Sequence, residues 1–301
     1  LIAAGLNIQF FPNKTHLVKT LKKLDLIVDI DYFHTPATRI SDIILPISTW
    51  LERDILILKP GGHIKHVEPA ISPLGETLPE WRIYHQLAEK LGFGDQFWDG
   101  DIEKCYNEIL EPTGVTVQQL RENPMGVTVP ITRRPPRYYE QHGFQTPSGK
   151  VEFTSSILKE HGYKPLPVYR EPHMSPITTP NLYKKYPLIL TTGARTINYT
   201  HSQHRNLKTL RKMMPKPLLE IHPTDASQRN IKNMTPITIH TPNGTANLTA
   251  KITPKIHQGI VQMPHHWPDK ANANNLTNHQ HLDPISGFPA FKSQLCQITQ
   301  K

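Results

Sequence analysis

The polar and basic side chains between residues 192 and 205 are the part of this sequence best suited to chemistry. Thr192 and Gly193 open the stretch, and a run of hydrogen-bond donors follows, formed by Arg195, Thr196, Asn198, Tyr199, His201, Ser202, Gln203, His204 and Arg205. A glycine lets the backbone approach a bound group closely, and amides beside cations attract phosphate. The stretch therefore predicts a site for a phosphorylated ligand, with an ordinary polar loop as the alternative.

Regular elements on both sides must position this loop. An apolar run at residues 188–190 predicts a strand, and Leu207, Leu210 and Met214 follow at helical spacing. A second strand is predicted over residues 218–221, and Thr224 or Asp225 is then placed to cap another helix. A strand, a glycine turn and a helix in this order are typical of anion-binding loops.

The distribution of charge limits the class of ligand. Residues 1–150 hold 16 of the 34 Lys and Arg and 18 of the 25 Asp and Glu, a net charge of −2, which leaves 18 and 7, or +11, for residues 151–301. The basic half favours an anionic partner, which could be nucleic acid, a membrane surface or a phosphorylated cofactor. No apolar run approaches the length of a membrane span.

The first half reads as alternating helices and strands. A helix is predicted over residues 17–24 and strands over 25–30 and 41–46, an order that suggests a parallel α/β sheet. Asp31 follows the first of these strands and could accept hydrogen bonds from a ligand, or simply cap a loop. Residues 54–78 are rich in Gly and Pro and predict irregular structure, and two helices are predicted over 79–91 and 102–110.

The last third favours short strands. Runs at residues 236–240, 246–253 and 259–263 have β character, and Asn243-Gly244 is a hairpin signal between the first two. Short strands with few helices predict a closed barrel. The two cysteines, Cys105 and Cys296, are expected to be unpaired thiols, and the pairs His201/His204 and His265/His266 lack a third ligand that would make a zinc site.

Several motifs resemble those of the molybdopterin oxidoreductases, the dimethyl-sulfoxide-reductase superfamily. The matching stretches are Gly5-Leu6-Asn7, Asp29–Pro46, Trp50–Arg53, Thr146–Glu152, Thr192–Arg195, His222–Ala226, Gly259–Val261, Asn274–Thr277, Leu282–Gly287 and Lys292. The match departs at Ile8, where the family has proline, at Ser41, where it has alanine, and over residues 230–236, where two family glycines are absent. Asn230 and Asn233 tolerate the left-handed geometry of such glycines.

The resemblance implies a fold and a domain division. It implies an incomplete Rossmann-like α/β portion in residues 1–165, with a connector and a turn and strand around residues 145–153. A mainly β C-terminal domain in residues 166–301, a six-stranded double-psi β-barrel, would bind the molybdopterin dinucleotide.

The resemblance also implies cofactor contacts, position by position. Asp31 would hold the guanosine end of a bis-molybdopterin guanine dinucleotide. Arg53 and Glu80 would also contact the cofactor, although Glu80 equally suits a helix N-terminus. The loop Thr192–His204 would cradle pterin and pyrophosphate through Thr192, Gly193, Arg195, Thr196, Tyr199, His201, Ser202 and His204. Asn274 and a buried Lys292 would touch the pterin or its phosphates, and Lys292 would balance phosphate charge.

The implied function is that of a molybdenum or tungsten oxidoreductase, of which this chain is the C-terminal part. No Cys motif for an iron–sulfur cluster and no metal-ligand loop is present, so we assign no catalytic and no metal-ligating residue. An iron–sulfur cluster is expected only in an N-terminal part outside this sequence. The Asp-Pro-Ile-Ser-Gly and Thr-Pro-Ser-Gly-Lys motifs lean towards polysulfide and thiosulfate reductases, formate dehydrogenases and acetylene hydratase.

Two alternatives to an enzyme fragment stay open. The chain could be a non-catalytic cofactor-binding fragment or subunit that docks to a separate catalytic chain. Nucleic-acid binding rests on the pI of about 9.4 alone and ranks last, because few aromatics accompany the basic residues. The expected partners are the N-terminal catalytic portion and an iron–sulfur electron-transfer subunit. A cytoplasmic location is the default, since any export signal would lie upstream.

Overall fold

The structure, a computed structural model, describes residues 1–130, 135–194, 196–199, 202–265 and 267–301. Its internal contacts divide the chain into two units. The first unit comprises Leu1–Asp29, His34–Ile44 and Arg170–Lys301, and the second comprises Ile30–Phe33 and Leu45–Tyr169.

The N-terminal elements are short. They are β1 (Ile2–Ala4), α1 (Lys14–Leu21), β2 (Val28–Asp31) and β3 (Ile43–Pro46), and the three strands form a sheet in the order β1–β2–β3. Helix α1 begins where the Asn13 side chain accepts a hydrogen bond from the His16 N–H at 3.2 Å, which satisfies one of the free amides of its first turn. The predicted helix and both predicted strands are present, with ends shifted by a few residues.

The second unit combines a small antiparallel sheet with helices. Strands β4 (Ile55–Lys59), β5 (His63–Val67) and β6 (Val127–Thr128) pair in that order. The helices are α2 (Glu80–Lys90), α3 (Ile102–Leu110), α4 (Val117–Glu122), α5 (Tyr138–His142) and α6 (Ser156–Glu160). A core of Ile64, Leu110, Val115, Val117 and Leu120 joins the sheet to α3 and α4.

Two sequence predictions in this unit were wrong. Residues 54–78, expected to be irregular, contain the β4–β5 hairpin, in which His63–Val67 alternates between half-buried and buried positions. Its polar side chains hid that alternation, because histidine and lysine do not read as apolar. Residues 145–153, expected to hold a turn and strand, form a turn without a strand, closed by a hydrogen bond from the Phe144 N–H to the Gly149 carbonyl at 2.8 Å.

A closed six-stranded barrel dominates the first unit and confirms the predicted barrel. Its elements are α7 (Pro180–Lys185), β7 (Leu188–Ala194), α8 (Lys208–Met213), β8 (Leu218–Ile221), α9 (Pro223–Ser227), β9 (Pro236–Thr241), β10 (Gly244–Ile252), β11 (Ile260–Pro264) and β12 (Gln294–Gln300). The strand order around the barrel is β10–β8–β11–β7–β12–β9. The predicted Asn243-Gly244 hairpin joins β9 to β10, with Gly244 opposite Thr241.

The barrel closes because its strands carry apolar residues at every second position. Ile237 and Ile239 of β9, and Ala246, Leu248 and Ala250 of β10, point into one core with the inward residues of the other strands. Cys296 of β12 belongs to the same core. The closing strand β12 was not among the runs predicted from the sequence.

Two turns of the barrel differ from expectation. Helix α9 is capped by His222, whose Nδ1 accepts the Thr224 N–H at 3.2 Å, and not by Thr224 or Asp225. In the stretch that departs from the family motif, Asn230 adopts φ +53° as anticipated, but the second left-handed residue is Met234 at φ +59°. Asn233 instead accepts the Ile252 N–H through its side chain at 2.9 Å.

No helix among the described residues is both long and apolar enough to cross a membrane.

Prediction from the barrel core: Ile239→Ala should lower the free energy of unfolding by about 2–5 kcal/mol, because it leaves a cavity at a fully buried position. Urea denaturation followed by circular dichroism measures the change. The matched control is Ile285→Ala, at a position that is 59% exposed, which should change stability by less than about 0.5 kcal/mol. Equal effects at the two positions would contradict the assigned core.

Candidate functional site

The strand directions bring three connections to one end of the barrel. Strand β11 is parallel to β7, β8 is antiparallel to β11, and β10 is parallel to β8. Strands β9 and β12 run antiparallel to β10 and β7, respectively. The loop after β7, the β9–β10 hairpin and the connection from β11 to β12 therefore meet at the same end. The described residues of the first unit that were predicted to hold a cofactor lie on or beside these connections.

Gly193 lies at this barrel end between a histidine and a lysine. Thr192 is buried, and its Oγ1 donates to the Phe291 carbonyl at 2.7 Å, which holds the neighbouring Lys292 beside Gly193. Gly193 has φ +94°, and a Cβ at this position would lie 3.7 Å from His265 Nδ1 and 4.0 Å from Lys292 Cε. Bare backbone next to a lysine and an imidazole is an arrangement suited to an anion.

Lys292 differs from expectation in its burial. The sequence predicted a buried lysine, whereas its side chain is exposed, although Phe291 before it is hydrogen-bonded to Thr192 and strand β12 begins two residues after it. Among the described residues, no carboxylate lies within ion-pair distance of its ammonium group. The charge of Lys292 therefore remains available to a ligand.

Tyr199 anchors the loop after β7 from inside. Its buried hydroxyl donates to the Met214 carbonyl at 2.7 Å, at the end of α8, and its ring meets Trp267 edge-on at 6.0 Å. The Thr196 carbonyl accepts the Tyr199 N–H at 3.4 Å, which closes a turn. In these contacts Tyr199 shapes the loop, and its hydroxyl is already engaged.

Arg205 is a basic residue that the sequence-based site did not include. Its guanidinium lies 5.7 Å from the centre of the Trp267 ring, and burial lowers its pKa. A partly desolvated arginine over an indole is held by a cation–π attraction and keeps its charge at any physiological pH. The run of donors in the sequence contained Arg205, but only the fold shows that Trp267 comes to lie beside it.

Ser202 and His204 occupy the far side of the same loop. Ser202 Oγ accepts a hydrogen bond from Asn7 Nδ2 at 3.0 Å, so the Gly5-Leu6-Asn7 motif reaches the loop. His204 is exposed and adopts φ +68°. The two remaining predicted residues of this loop, Arg195 and His201, lie outside the described residues.

Asn274 has a structural role that the sequence did not suggest. It is buried, its Nδ2 donates to the Gln9 carbonyl at 2.6 Å, and its Oδ1 accepts from Thr277 Oγ1 at 3.1 Å. Asn13 makes a further link, because its N–H donates to Thr277 Oγ1 at 3.3 Å. Both ends of the Asn274 amide therefore fasten the segment before α1 to the barrel end.

The three remaining predicted residues, Asp31, Arg53 and Glu80, belong to the second unit. The Asp31 carboxylate accepts the N–H groups of Tyr32 and Phe33 at 2.6 and 3.4 Å, which is a turn-capping geometry. Arg53 Nη1 lies 4.0 Å from Glu80 Oε2 at the start of α2. The structure thus brings Arg53 and Glu80 together, and it gives Asp31 the loop-capping contacts that were the alternative reading.

Glu52 supports the turn that carries Arg53 and was not among the predicted site residues. It is buried and accepts the N–H groups of Thr49 and Leu74 at 2.6 and 3.1 Å. These hydrogen bonds, chiefly that of Thr49, lower the pKa of the Glu52 carboxyl. An ionised Glu52 therefore fixes the turn that presents Arg53.

Comparison with known proteins identifies the family. Residues 2–90 match the family model described as Molybdopterin oxidoreductase, and residues 188–295 match the model described as Molydopterin dinucleotide binding domain. The chain belongs to the molybdopterin oxidoreductases.

Individual members of the family extend over most of this chain. It is 33% identical to the F420-dependent formate dehydrogenase subunit alpha of Methanocaldococcus jannaschii, over 93% of this chain and 40% of that protein. It is 31% identical to the acetylene hydratase of Syntrophotalea acetylenica, over 85% of this chain and 35% of that protein.

A solved structure, acetylene hydratase from Pelobacter acetylenicus, superposes with a TM-score of 0.83 at 27% identity and covers 97% of this chain and 42% of that one. The chain spans about two fifths of the length of the curated relatives it matches.

Among the described residues, no group of three or more His, Cys, Asp or Glu side chains is placed to hold a metal ion. The two histidine pairs weighed from the sequence lie partly outside the described residues. Cys105 and Cys296 are free and buried, as expected, and burial raises the pKa of both thiols.

The connection from β11 to β12 is held by two stacked histidine pairs. His279 stacks on His16 with ring centroids 4.4 Å apart, and His281 stacks on His173 at 4.1 Å. Asn13 Nδ2 lies 3.0 Å from His279 Nδ1. Both pairs secure the segment that leads to Lys292.

Prediction from the histidine stacks: the barrel unit should lose stability on acidification. Burial first, and the neighbouring His281 second, lower the pKa of His173 in the folded state. Its contribution to stability is therefore present above the unfolded pKa of about 6.5 and is lost as the pH falls through the lower folded value. Thermal melts between pH 8 and pH 5 should show a smaller pH dependence for His173→Gln, with the exposed His257→Gln as a control that leaves it unchanged. Identical profiles for all three proteins would refute the assignment.

Prediction from the Asn274 anchor: Asn274→Ala should lower the free energy of unfolding of the cofactor-free protein by about 1–3 kcal/mol, because the buried Gln9 carbonyl loses its donor. Asn181→Ala, at an exposed position, is the control and should have little effect. Urea denaturation measures both. A residue whose only task is to touch a ligand would leave the cofactor-free protein unchanged.

Proposed function

We propose that this chain is the C-terminal, cofactor-holding part of a molybdenum or tungsten oxidoreductase that binds bis-molybdopterin guanine dinucleotide. The observation that carries the proposal is the barrel end around Gly193, within a domain that matches the dinucleotide-binding family over residues 188–295. The exposed Lys292, the bare Gly193 backbone and Arg205 on Trp267 supply fixed positive charge and close backbone approach there. That set of donors fits the phosphates and polar pterin edge of such a cofactor.

The proposed division of labour follows from which groups remain available. When bound, the cofactor would supply two-electron redox or oxygen-atom chemistry on a small substrate. Lys292 would balance phosphate charge, and Gly193 would let the ligand approach the backbone closely. Thr192 would hold Lys292 beside Gly193 through its hydrogen bond to the Phe291 carbonyl. Thr196, Ser202 and His204, together with Arg195 and His201, complete the proposed pterin loop, which Tyr199 and Asn274 hold in shape.

Arg53, Glu80 and Asp31 are proposed for the guanosine end. The Arg53–Glu80 pair is partly exposed, at 23% and 41% of the two side chains, so either partner can turn to a ligand. Asp31 retains lone pairs beyond those that accept the two backbone amides. The Rossmann-like connection of the α/β portion and the double-psi crossover of the barrel belong to the same proposal, and the parallel pairs β8/β10 and β7/β11 support the latter.

The activity of the whole protein would require the remaining portion of the family architecture. An N-terminal catalytic portion would carry the metal ligand and any iron–sulfur cluster, and an electron-transfer subunit is the second proposed partner. Relatives of this chain are a formate dehydrogenase subunit, an acetylene hydratase and a nitrate reductase catalytic subunit. We assign no substrate among these classes.

The alternative function is a cofactor-binding fragment or subunit without activity of its own, docked to a separate catalytic chain. The departure from the family motif over residues 230–236 favours it, because Met234 bears a left-handed conformation there. The barrel nevertheless closes around that turn, with Met234 donating its N–H to the Ala250 carbonyl at 2.8 Å. The unusual turn is thus compatible with an intact binding domain.

The deciding experiment is purification of the protein from its native host. Molybdenum, tungsten and acid-released GMP are measured, together with any polypeptide that co-purifies. Metal and nucleotide in stoichiometric amounts would support the proposal, and the catalytic activity of the preparation would separate an enzyme from a docking fragment. A protein free of both would refute cofactor binding.

Prediction from the proposed site: Lys292→Gln should weaken retention of the guanine dinucleotide by about 10- to 100-fold, the equivalent of one charge-assisted hydrogen bond of about 1.5–3 kcal/mol. Released GMP per protein after dialysis measures the effect. The matched control is Lys251→Gln on β10, where the lysine pairs with Glu220 at 2.8 Å and lies away from the barrel end that carries Gly193. Equal loss of GMP from both variants would contradict the role of Lys292.

A further inference from the structure

The second unit leaves three large apolar side chains in solvent just beyond the end of α2. Leu91, Phe93 and Phe97 are 62%, 48% and 36% exposed. The Phe93 N–H donates to the Ala88 carbonyl at 2.9 Å, so the chain turns back on the helix and keeps these side chains close in the fold as well as in the sequence. Apolar side chains that gather on a protein surface mark interaction sites.

The turn that follows is rigid and strained. Trp98 has φ +51°, a left-handed conformation that is costly for a bulky residue. The rings of Phe97 and Trp98 lie 6.0 and 6.1 Å from that of His85 on α2, and Trp98 Nε1 donates to Glu108 Oε2 on α3 at 2.6 Å. The turn is therefore fixed between two helices and presents its surface without further ordering, which reduces the cost of binding.

Unneutralised carboxylates accompany the apolar side chains. Residues 89–111 hold 7 acidic and 2 basic residues, a net charge of −5. Glu89 and Asp99 converge on Gly94, where a Cβ would lie 3.5 Å from both Asp99 Oδ1 and Glu89 Cγ. Within the part of the chain that the structure describes, no lysine or arginine is within ion-pair distance of either carboxylate or of Asp95. We call this surface the acidic face, formed by Glu89, Leu91, Phe93, Asp95, Phe97 and Asp99.

Positive charge gathers on the first unit, at the end of the barrel away from Gly193. Strands β7 and β11 begin at this end and β8 and β10 finish there, as their pairing directions require. The segments that meet there carry four exposed lysines, none of which has a described carboxylate within ion-pair distance. We call this surface the lysine-rich end, formed by Lys184, Lys185, Lys232, Lys255 and the neighbouring Met234.

The carboxylates of β8 and α9 do not neutralise the lysine-rich end. Glu220 pairs with Lys251 at 2.8 Å, and Asp225 accepts the Gly259 N–H at 2.7 Å. The Met234 N–H donates to the Ala250 carbonyl at 2.8 Å, which fixes the turn after Lys232 and leaves the Met234 side chain 51% exposed. The lysine-rich end thus offers cations beside an apolar side chain, the complement of the acidic face.

We propose that the acidic face of one copy of this chain docks on the lysine-rich end of a second copy. The first unit holds 21 Lys and Arg and 8 Asp and Glu, a net charge of +13, and the second holds 13 and 17, a net charge of −4. A second copy satisfies both surfaces, whereas nucleic acid or an anionic membrane would be repelled by the acidic face. Two such contacts about a twofold axis would close a dimer. The inference rests on these surfaces alone and holds whether or not a cofactor is bound.

Sedimentation velocity of the purified chain tests the contact. Wild type should self-associate at about 0.05 M salt and at least tenfold more weakly at about 0.5 M, because salt screens exposed charges. Lys232→Glu with Lys255→Glu, and separately Glu89→Lys with Asp95→Lys, should each weaken association at least tenfold. An equimolar mixture of these two variants should associate again, because each supplies the charge that the other has lost.

Two further variants serve as checks. Lys19→Glu with Lys23→Glu, at exposed positions in and just after α1, changes the net charge equally and should associate like wild type. Leu91→Ser should weaken association with no change in charge. Circular dichroism melts establish that each variant is folded.

Several outcomes would overturn the inference. They are a wild type that stays monomeric at low salt, association of the Lys232→Glu, Lys255→Glu variant at wild-type strength, and a mixture of the two charge variants that stays monomeric. Monomeric wild type that sediments with phosphatidylglycerol vesicles would instead assign the lysine-rich end to a membrane surface.

Discussion

The pairing of β12 with both β7 and β9 is the interaction on which the barrel end depends. This strand closes the barrel, and its arrival fixes the residues just before it. The hydrogen bond from Thr192 to the Phe291 carbonyl joins residues 99 positions apart and places Lys292 next to Gly193. Without closure, the lysine and the glycine would have no fixed relation, and the family motifs that contain them would be separate pieces of sequence.

The polar residues of the barrel end fall into two groups with different tasks. One group hydrogen-bonds to backbone carbonyls of the protein and so sets the shape of the loops; its members are Tyr199, Asn274 and Thr192. The other group, Lys292 and the backbone of Gly193, remains accessible to a ligand.

Much of the architecture could be predicted from the sequence, and the misses have physical causes. The strand at residues 218–221, the helix at 102–110 and the Asn243-Gly244 hairpin rest on local periodicity and turn chemistry, and the structure has all three. The β4–β5 hairpin was missed because the histidines and the lysine of His63–Val67 hide its alternation of buried and half-buried positions. Met234 was missed as a left-handed residue because propensity favours asparagine there, and the tertiary context overrode it. The Arg205–Trp267 contact and the buried anchor at Asn274 join distant segments, which no local pattern reveals.

The segment before α1 reaches the barrel end through contacts that span most of the chain. Asn7 and Ser202 are 195 residues apart, and Gln9 and Asn274 are 265 residues apart. Contacts of such separation form late, because the entropy of closing the intervening loop must be overcome first. During synthesis, residues 7–9 leave the ribosome long before Ser202 and Asn274, so their hydrogen-bonding groups stay unpaired until those partners are made. We therefore expect this unit to fold slowly. Unpaired strand edges are then exposed for a period in which a chaperone can bind them.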